Sequence, residues 1–321
     1  MSRSVIQLFM LVFSLVNMCG FSLWAAESDR AAARALGNLR ELEAACDTWS
    51  AALVPLQVPM GSIRSGDWLA HNKERGQTFR QYLDERPRSA RGVRRTIYVQ
   101  PIGDFTRGQQ RLLDETVLFL QAFFDVPVKV LTAVDDSSIP SRARRRHPSW
   151  RVKQFLTTYI LNEVLAPRLP RDGAAILGLT ATDLWAGPGW NFVFGSASLR
   201  SRVGVWSINR NGSPDKSEES FRLALLRTIK TAAHETAHMF TLRHCRTYEC
   251  LMNGSNSRQE SDRRPLACCS HCLAKVWWAT GAEPIKRFER LEQFCARVGL
   301  SEQEQTYRKL REKLLKVKNY R

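Results

Sequence analysis

Histidine is scarce in this chain, six among 321 residues, and acidic residues are outnumbered, 31 against 48 lysines and arginines. Against that scarcity, three histidines inside eleven residues stand out: His234, His238 and His244 share the stretch HETAHMFTLRH with Glu235. The acid deficit leaves a net charge of +17, fed by arginine clusters at 86–95 and 142–151. Such charge favours acidic partners. No helix-turn-helix, RNA-recognition or finger spacing accompanies it, so the expectation is a solvated basic surface able to touch anionic surfaces, without a nucleic-acid site. Cysteine is limited to eight residues, five of them within Cys245–Cys272. That clustering argues against a disulfide framework spread along the chain and suits metal ligation.

The histidine spacing has a physical reason. Residues four apart on a helix lie on one face, so His234 and His238 can converge on one metal. His244 follows six residues after His238, a distance suited to a ligand delivered after the helix ends. Glu235 adjoins the first ligand, close enough to take a proton from a water on zinc, whose pKa falls to roughly 7 there. Leu225, Leu226, Ile229, Ala232, Ala233, Ala237 and Phe240 give the preceding segment an apolar helical face, with Ser213 and Pro214 as its expected start. This pattern points to a metallohydrolase.

Cys245, Cys250, Cys269 and Cys272 read C-x4-C…C-x2-C, with Met252 two residues after the second cysteine. Four thiolates in two close pairs suit a closed, structural zinc site. Cys245 is bonded to His244, so such a site would pin the third histidine. Disulfides of the Cys250–Cys269 type are the competing reading.

These residues resemble the archaemetzincins, whose pattern runs HExxHxxGxxHC-x4-C-x-M and on to C-x2-C. Gly66-Asp67-Trp68-Leu69, Gly76-Gln77-Thr78-Phe79, Gln100-Pro101-Ile102-Gly103 and Asn191-Phe192-Val193-Phe194-Gly195 are similar to the family as well. The resemblance implies a zinc peptidase with two zinc ions: a catalytic one on His234, His238 and His244 with Glu235 as general base, and a structural one on the four cysteines. It also implies Met252 beneath the catalytic site, in a Met-turn, and peptide or protein substrates, cut within the chain or trimmed from its amino end. Two departures stand out. Thr241 occupies the family's glycine position, and the linker to Cys269 is one residue short, which leaves Cys268 and His271 as substitutes.

The remaining chain reads as α/β, a metzincin-like mixed sheet with a zinc-binding active-site helix and a helical C-terminal part. Thr96 to Gln100, Val126 to Leu131, Ala174 to Thr180, Asn191 to Ser198 and Val203 to Ile208 are strand candidates. Gln109 to Phe124 and Ser149 to Leu165 carry helical periodicity, and Ser301 to Glu304 fits a capping box before a basic amphipathic helix. One of the two strands before the zinc helix is the candidate edge for pairing with an extended substrate.

Val5 to Ala26 is an uncharged run after Arg3, as in a secretory signal, though long enough for an uncut membrane anchor. The expected division is 1–26 signal or anchor, 27–95 N-terminal cap or latency segment, and 96–321 peptidase domain, in an exported or membrane-anchored protein. Cys46, on a helix expected over Ala31 to Trp49, could serve latency by offering its thiolate to the catalytic zinc. The rival function is a non-catalytic, zinc-stabilised basic module for anionic partners. Glu235 argues against it, because a purely structural site needs no such carboxylate. Nothing in the chain specifies an oligomeric state.

Overall fold

The computed structural model describes residues 47–317. The signal or anchor segment, Cys46 and all but the end of the helix expected over Ala31 to Trp49 lie outside the described residues. Residues Thr48–Arg321 form one compact unit.

Eight strands follow in chain order: β1 (Thr96–Ile102), β2 (Val128–Val130), β3 (Arg144–Arg146), β4 (Lys153–Leu156), β5 (Gly173–Thr180), β6 (Asp183–Trp185), β7 (Gly195–Ala197) and β8 (Val203–Ser207). β1 and β5 are buried along their whole length, as parallel strands covered on both faces must be. The main sheet runs β2-β1-β5-β8-β7. Its strands are parallel except β7, which pairs antiparallel with β8 and forms the edge. A small second sheet, β3-β4-β6, lies beside it.

The principal helices are α1 (Phe79–Asp84), α2 (Arg107–Phe124), α3 (Glu218–Met239), α4 (Arg258–Arg263), α5 (Ser270–Thr280), α6 (Pro284–Val298) and α7 (Ser301–Leu315). α2 and α3 pack on each other, α2 against β2 and α3 against β5, β7 and β8. Alternating residues Tyr98, Ile102, Ile176, Val203 and Val205 form a second core layer with Phe155, Ile160 and Leu184. α6 packs on α2 and α7 on α6, which gives the helical C-terminal part. The architecture is mixed α/β.

Four local expectations change. The helix expected over Ser149 to Leu165 survives only in irregular helical turns over residues 157–168, because Lys153–Leu156 pairs with β3 and β6. Strand pairing with distant residues outweighs local periodicity there. The zinc helix starts later than Ser213–Pro214: Ser217 caps α3 by accepting from Ser220 N, with Glu218 and Glu219 at its positive end. At α7 the N-cap is Leu300, with no side-chain cap, so no capping box forms. The edge strand is also shorter than Asn191 to Ser198, leaving Phe192 and Phe194 ahead of it in the cleft wall.

Candidate active site

α3 delivers His234, Glu235 and His238 from one face and then stops in a Schellman motif: Leu242 N bonds Ala237 O at 3.1 Å and Thr241 N bonds His238 O at 2.8 Å. The residue in the left-handed position is Thr241, at φ 70°. Glycine usually fills that place because a Cβ is costly there. Here the hydroxyl is tied on both sides. Thr241 Oγ1 accepts from Arg88 N (3.1 Å) and donates to Leu199 O (3.2 Å). The turn then brings His244 back to the first two histidines.

The three rings converge. His234 Nε2 and His238 Nε2 lie 2.9 Å apart, and one ligand atom from each histidine lies within 4.8 Å of the others. Each ring is held through Nδ1: His234 by Leu251 O (2.9 Å), His238 by Leu242 O (2.6 Å), His244 by the Glu74 carboxylate (2.8 and 3.0 Å). A carbonyl or carboxylate oxygen only accepts, so Nδ1 carries the proton, and on a neutral ring Nε2 keeps its lone pair. Burial, then the charge of His244, pushes His234 down to about 3. Burial, followed by His234 and His244, pushes His238 well below the usual histidine range. Both are neutral at pH 7. Facing lone pairs of neutral imidazoles make an electron-rich focus that fits a cation, and the ligand type suits zinc.

Glu235 sits against the edge strand. A Cβ on Gly195 would stand 2.6 Å from Glu235 Oε1, so only glycine allows β7 to come this close. Burial raises the Glu235 carboxyl to about 8. A cleft of about 370 Å³ opens over these groups, walled by Trp68, Trp190, Phe192 and Phe194.

The four cysteines expected to act together do meet. Cys245, Cys250, Cys269 and Cys272 are all buried, with their sulfurs within 4.8 Å of one another. Cys250 Sγ accepts from Met252 N (3.4 Å) and Cys269 N (3.2 Å), bonds that favour a thiolate. Asn253 closes the loop, accepting from Cys250 N (2.7 Å) and donating to Cys245 O (2.9 Å). Neither Cys268 nor His271 belongs to the group, and all six described cysteines are free thiols. Met252 is fully buried and its carbonyl accepts from Cys245 N (2.7 Å). Because Leu251 O holds His234, the same short loop serves both clusters.

Sequence reasoning missed what steadies the His244 turn from the other side. Beyond Glu74, Tyr82 Oη donates to Phe240 O (3.0 Å), Gln77 Nε2 donates to Thr241 O (3.2 Å), and Arg243 N donates to Gln77 Oε1 (3.2 Å). The buried Lys275 ammonium donates to both oxygens of Gln77. The Trp68 ring meets the His244 ring edge-on at 5.4 Å. Burial raises the Glu74 carboxyl, and the hydrogen bond and charge of His244 outweigh it, leaving it below the usual carboxylate range. Trp68 and Gln77 fall in the stretches similar to the family, but residue type alone gave them no role.

Comparison with known proteins agrees with the geometry. The model of peptidase family M54 matches residues 161–277. Archaemetzincin-2 of Rattus norvegicus is 35% identical over 266 residues, 73% of this chain and 73% of that protein. Archaemetzincin-2 of Homo sapiens is 33% identical over 258 residues, 70% of this chain and 71% of that protein. Among solved structures, the archaemetzincin of Methanopyrus kandleri is 28% identical, with a TM-score of 0.47 over 58% of this chain and 95% of that one. The chain belongs to the archaemetzincin family and is a zinc-dependent peptidase.

Proposed function

We propose that His234, His238 and His244 hold the catalytic zinc, that Cys245, Cys250, Cys269 and Cys272 hold a second, structural zinc, and that Glu235 is the general base of peptide hydrolysis. Bound zinc supplies Lewis acidity, lowering the pKa of water to roughly 7 and polarising a carbonyl. Glu235 takes the proton from the attacking water and returns it to the leaving amine nitrogen. The substrate lies extended along the free edge of β7 through backbone hydrogen bonds, which brings its scissile carbonyl over Glu235. The observation that carries this reading is the close approach at Gly195: the Glu235 carboxyl, with no hydrogen-bond partner among the described residues, is pressed against β7, an edge strand of the main sheet.

The segment expected as a removable cap or latency peptide is better read as part of the site. Glu74 orients His244 through Nδ1, and Gln77, Tyr82 and Arg88 hold the turn between the second and third histidines. On this reading residues 66–91 stay with the mature enzyme.

The test is mass-spectrometric mapping of a peptide library treated with the zinc-loaded protein and its Glu235→Gln variant. Cleavage by the wild type alone supports Glu235 as base and reads out internal cutting against removal of amino-terminal residues. Equal cleavage by both proteins, with equal zinc content, would falsify it.

A further inference from the structure

On the far side of the His244 turn lies a second cavity, of about 360 Å³. Arg86, Arg88, Arg200 and Arg243 line it, with Thr241 and Leu199 between them and Glu85 at one side. The arginines come from three separate segments: the chain after α1, the β7–β8 hairpin, and the turn between the second and third histidines. Arg88 Nε donates to Arg200 O at 3.2 Å, which fixes one guanidinium on the opposite wall. Arg243 pairs with Glu85 at 3.2 Å. Among the described residues, Arg86, Arg88 and Arg200 make no ion pair, and neither do the neighbouring Arg94 and Arg202. Burial, then repulsion from Arg94 and Arg88, holds the Arg202 guanidinium below its usual range. Apart from Arg243 beside Glu85, the like charges gathered here have no ion-pair partner among the described residues.

We propose that this cavity binds a phosphate group, free or as the monoester end of a larger molecule, held by Arg86, Arg88, Arg200 and Arg243. Guanidinium groups offer planar pairs of N–H donors that match phosphate oxygens two at a time, and a dianion relieves the repulsion among them. All four arginines are solvent-exposed, but they reach one concavity from three segments, where a diffuse basic surface would scatter its cations. The floor is Thr241, whose hydroxyl already joins Arg88 N to Leu199 O. A phosphate across Arg88 and Arg200 therefore braces the turn that carries His244.

The experiment is isothermal titration calorimetry of the zinc-loaded protein with inorganic phosphate, chloride replacing it to keep ionic strength constant. One saturable site per chain is expected, with a Kd of about 0.01–1 mM. The Arg88→Gln/Arg200→Gln variant should weaken it at least about tenfold, and Lys309→Gln, an exposed cation on α7, should leave it unchanged. If the double variant loses its fold by circular dichroism, Arg86→Gln takes its place, since that side chain makes no described hydrogen bond. Competition by phosphoserine assigns a soluble monoester. Competition by vesicles of phosphatidic acid in phosphatidylcholine places the group on a lipid. Phosphate heat that persists in the arginine variants locates the anion on the zinc and overturns the proposal. Equal loss in Lys309→Gln does so too, because it makes the effect diffuse charge. Vesicle binding with no heat from phosphate or phosphoserine also overturns it.

Discussion

The histidine cluster and the cysteine cluster are neighbours in sequence and opposites in construction. The cysteines are all buried, the four sulfurs meet within residues 245–272, and Cys250 Sγ receives the N–H groups of Met252 and Cys269 from that same stretch. The histidines are only half-buried and face a cleft, and each is oriented by a different part of the chain: Leu251, Leu242 and Glu74. A metal site meant only to hold a fold can close on itself. One meant to meet substrate must leave a side open and borrow its rigidity from outside.

The strongest test of that contrast is Cys250→Ser. Structural zinc contributes about 10–16 kcal/mol in small zinc modules, comparable with the whole stability of a domain, about 5–15 kcal/mol. The variant is expected to lose the zinc of the cysteine cluster and to melt at much lower temperature. It should lose the histidine zinc as well, because Leu251 O and the Cys245–Met252 bond place both clusters on one loop. Zinc stoichiometry alongside a circular dichroism melt decides it. Full activity with the histidine zinc retained would make the two clusters independent.

Glu235→Gln should separate chemistry from stability at the open site. Removing a general base costs about 10²–10⁴-fold in rate, while zinc content and the melting temperature of the loaded protein stay as they are. The metal-free protein adds a signed pH test. Burial raises this carboxyl from 4.5 to about 8, so its contribution to stability is complete below pH 4.5 and is lost as pH climbs through 8. Metal-free wild type and variant should melt together in acid and diverge towards pH 8, with the variant higher. Parallel curves across that window would show that burial does not set this carboxyl.

Glu74→Gln tests the borrowed rigidity. The amide still reaches His244 Nδ1 but lacks the charge. Outer partners of metal-bound histidines are worth about 10–100-fold in metal affinity, so chelator competition should show that loss at the histidine cluster and none at the cysteines. Glu74→Asp should recover part of it. Unchanged affinity would return residues 66–91 to the status of a dispensable cap.

What was legible in the sequence follows the same division. The i, i+4 histidines, Glu235 and the cysteine pairs were readable because helical spacing and short loops fix their neighbours locally. Glu74 was not, since it reaches His244 across 170 residues and a lone glutamate in a loop-rich stretch has no spacing to betray it. β4 was hidden for a related reason. Its apolar residues fit a helical period as well, and only pairing with β3 and β6 makes it a strand. The parallel core strands were easier, because burial on both faces writes itself as a continuous apolar run.

Thr241 carries the smallest and most discriminating effect. A β-branched residue at φ 70° costs about 1–3 kcal/mol, and its two hydroxyl hydrogen bonds return about 0.5–1.5 kcal/mol each. Thr241→Gly removes strain and bonds together, so stability is expected to change by less than about 1 kcal/mol, the sign depending on glycine's extra unfolded-state freedom. Thr241→Ala keeps most of the strain and loses both bonds, so it should be destabilised by about 1–3 kcal/mol. Denaturant melts of the pair isolate the hydroxyl from the backbone. Any loss of zinc should fall on the histidine cluster, because Thr241 stands between His238 and His244 while the cysteine loop closes without it. If alanine is as stable as threonine, the bonds to Arg88 and Leu199 contribute nothing. The turn would then be held by Gln77 and Tyr82 alone.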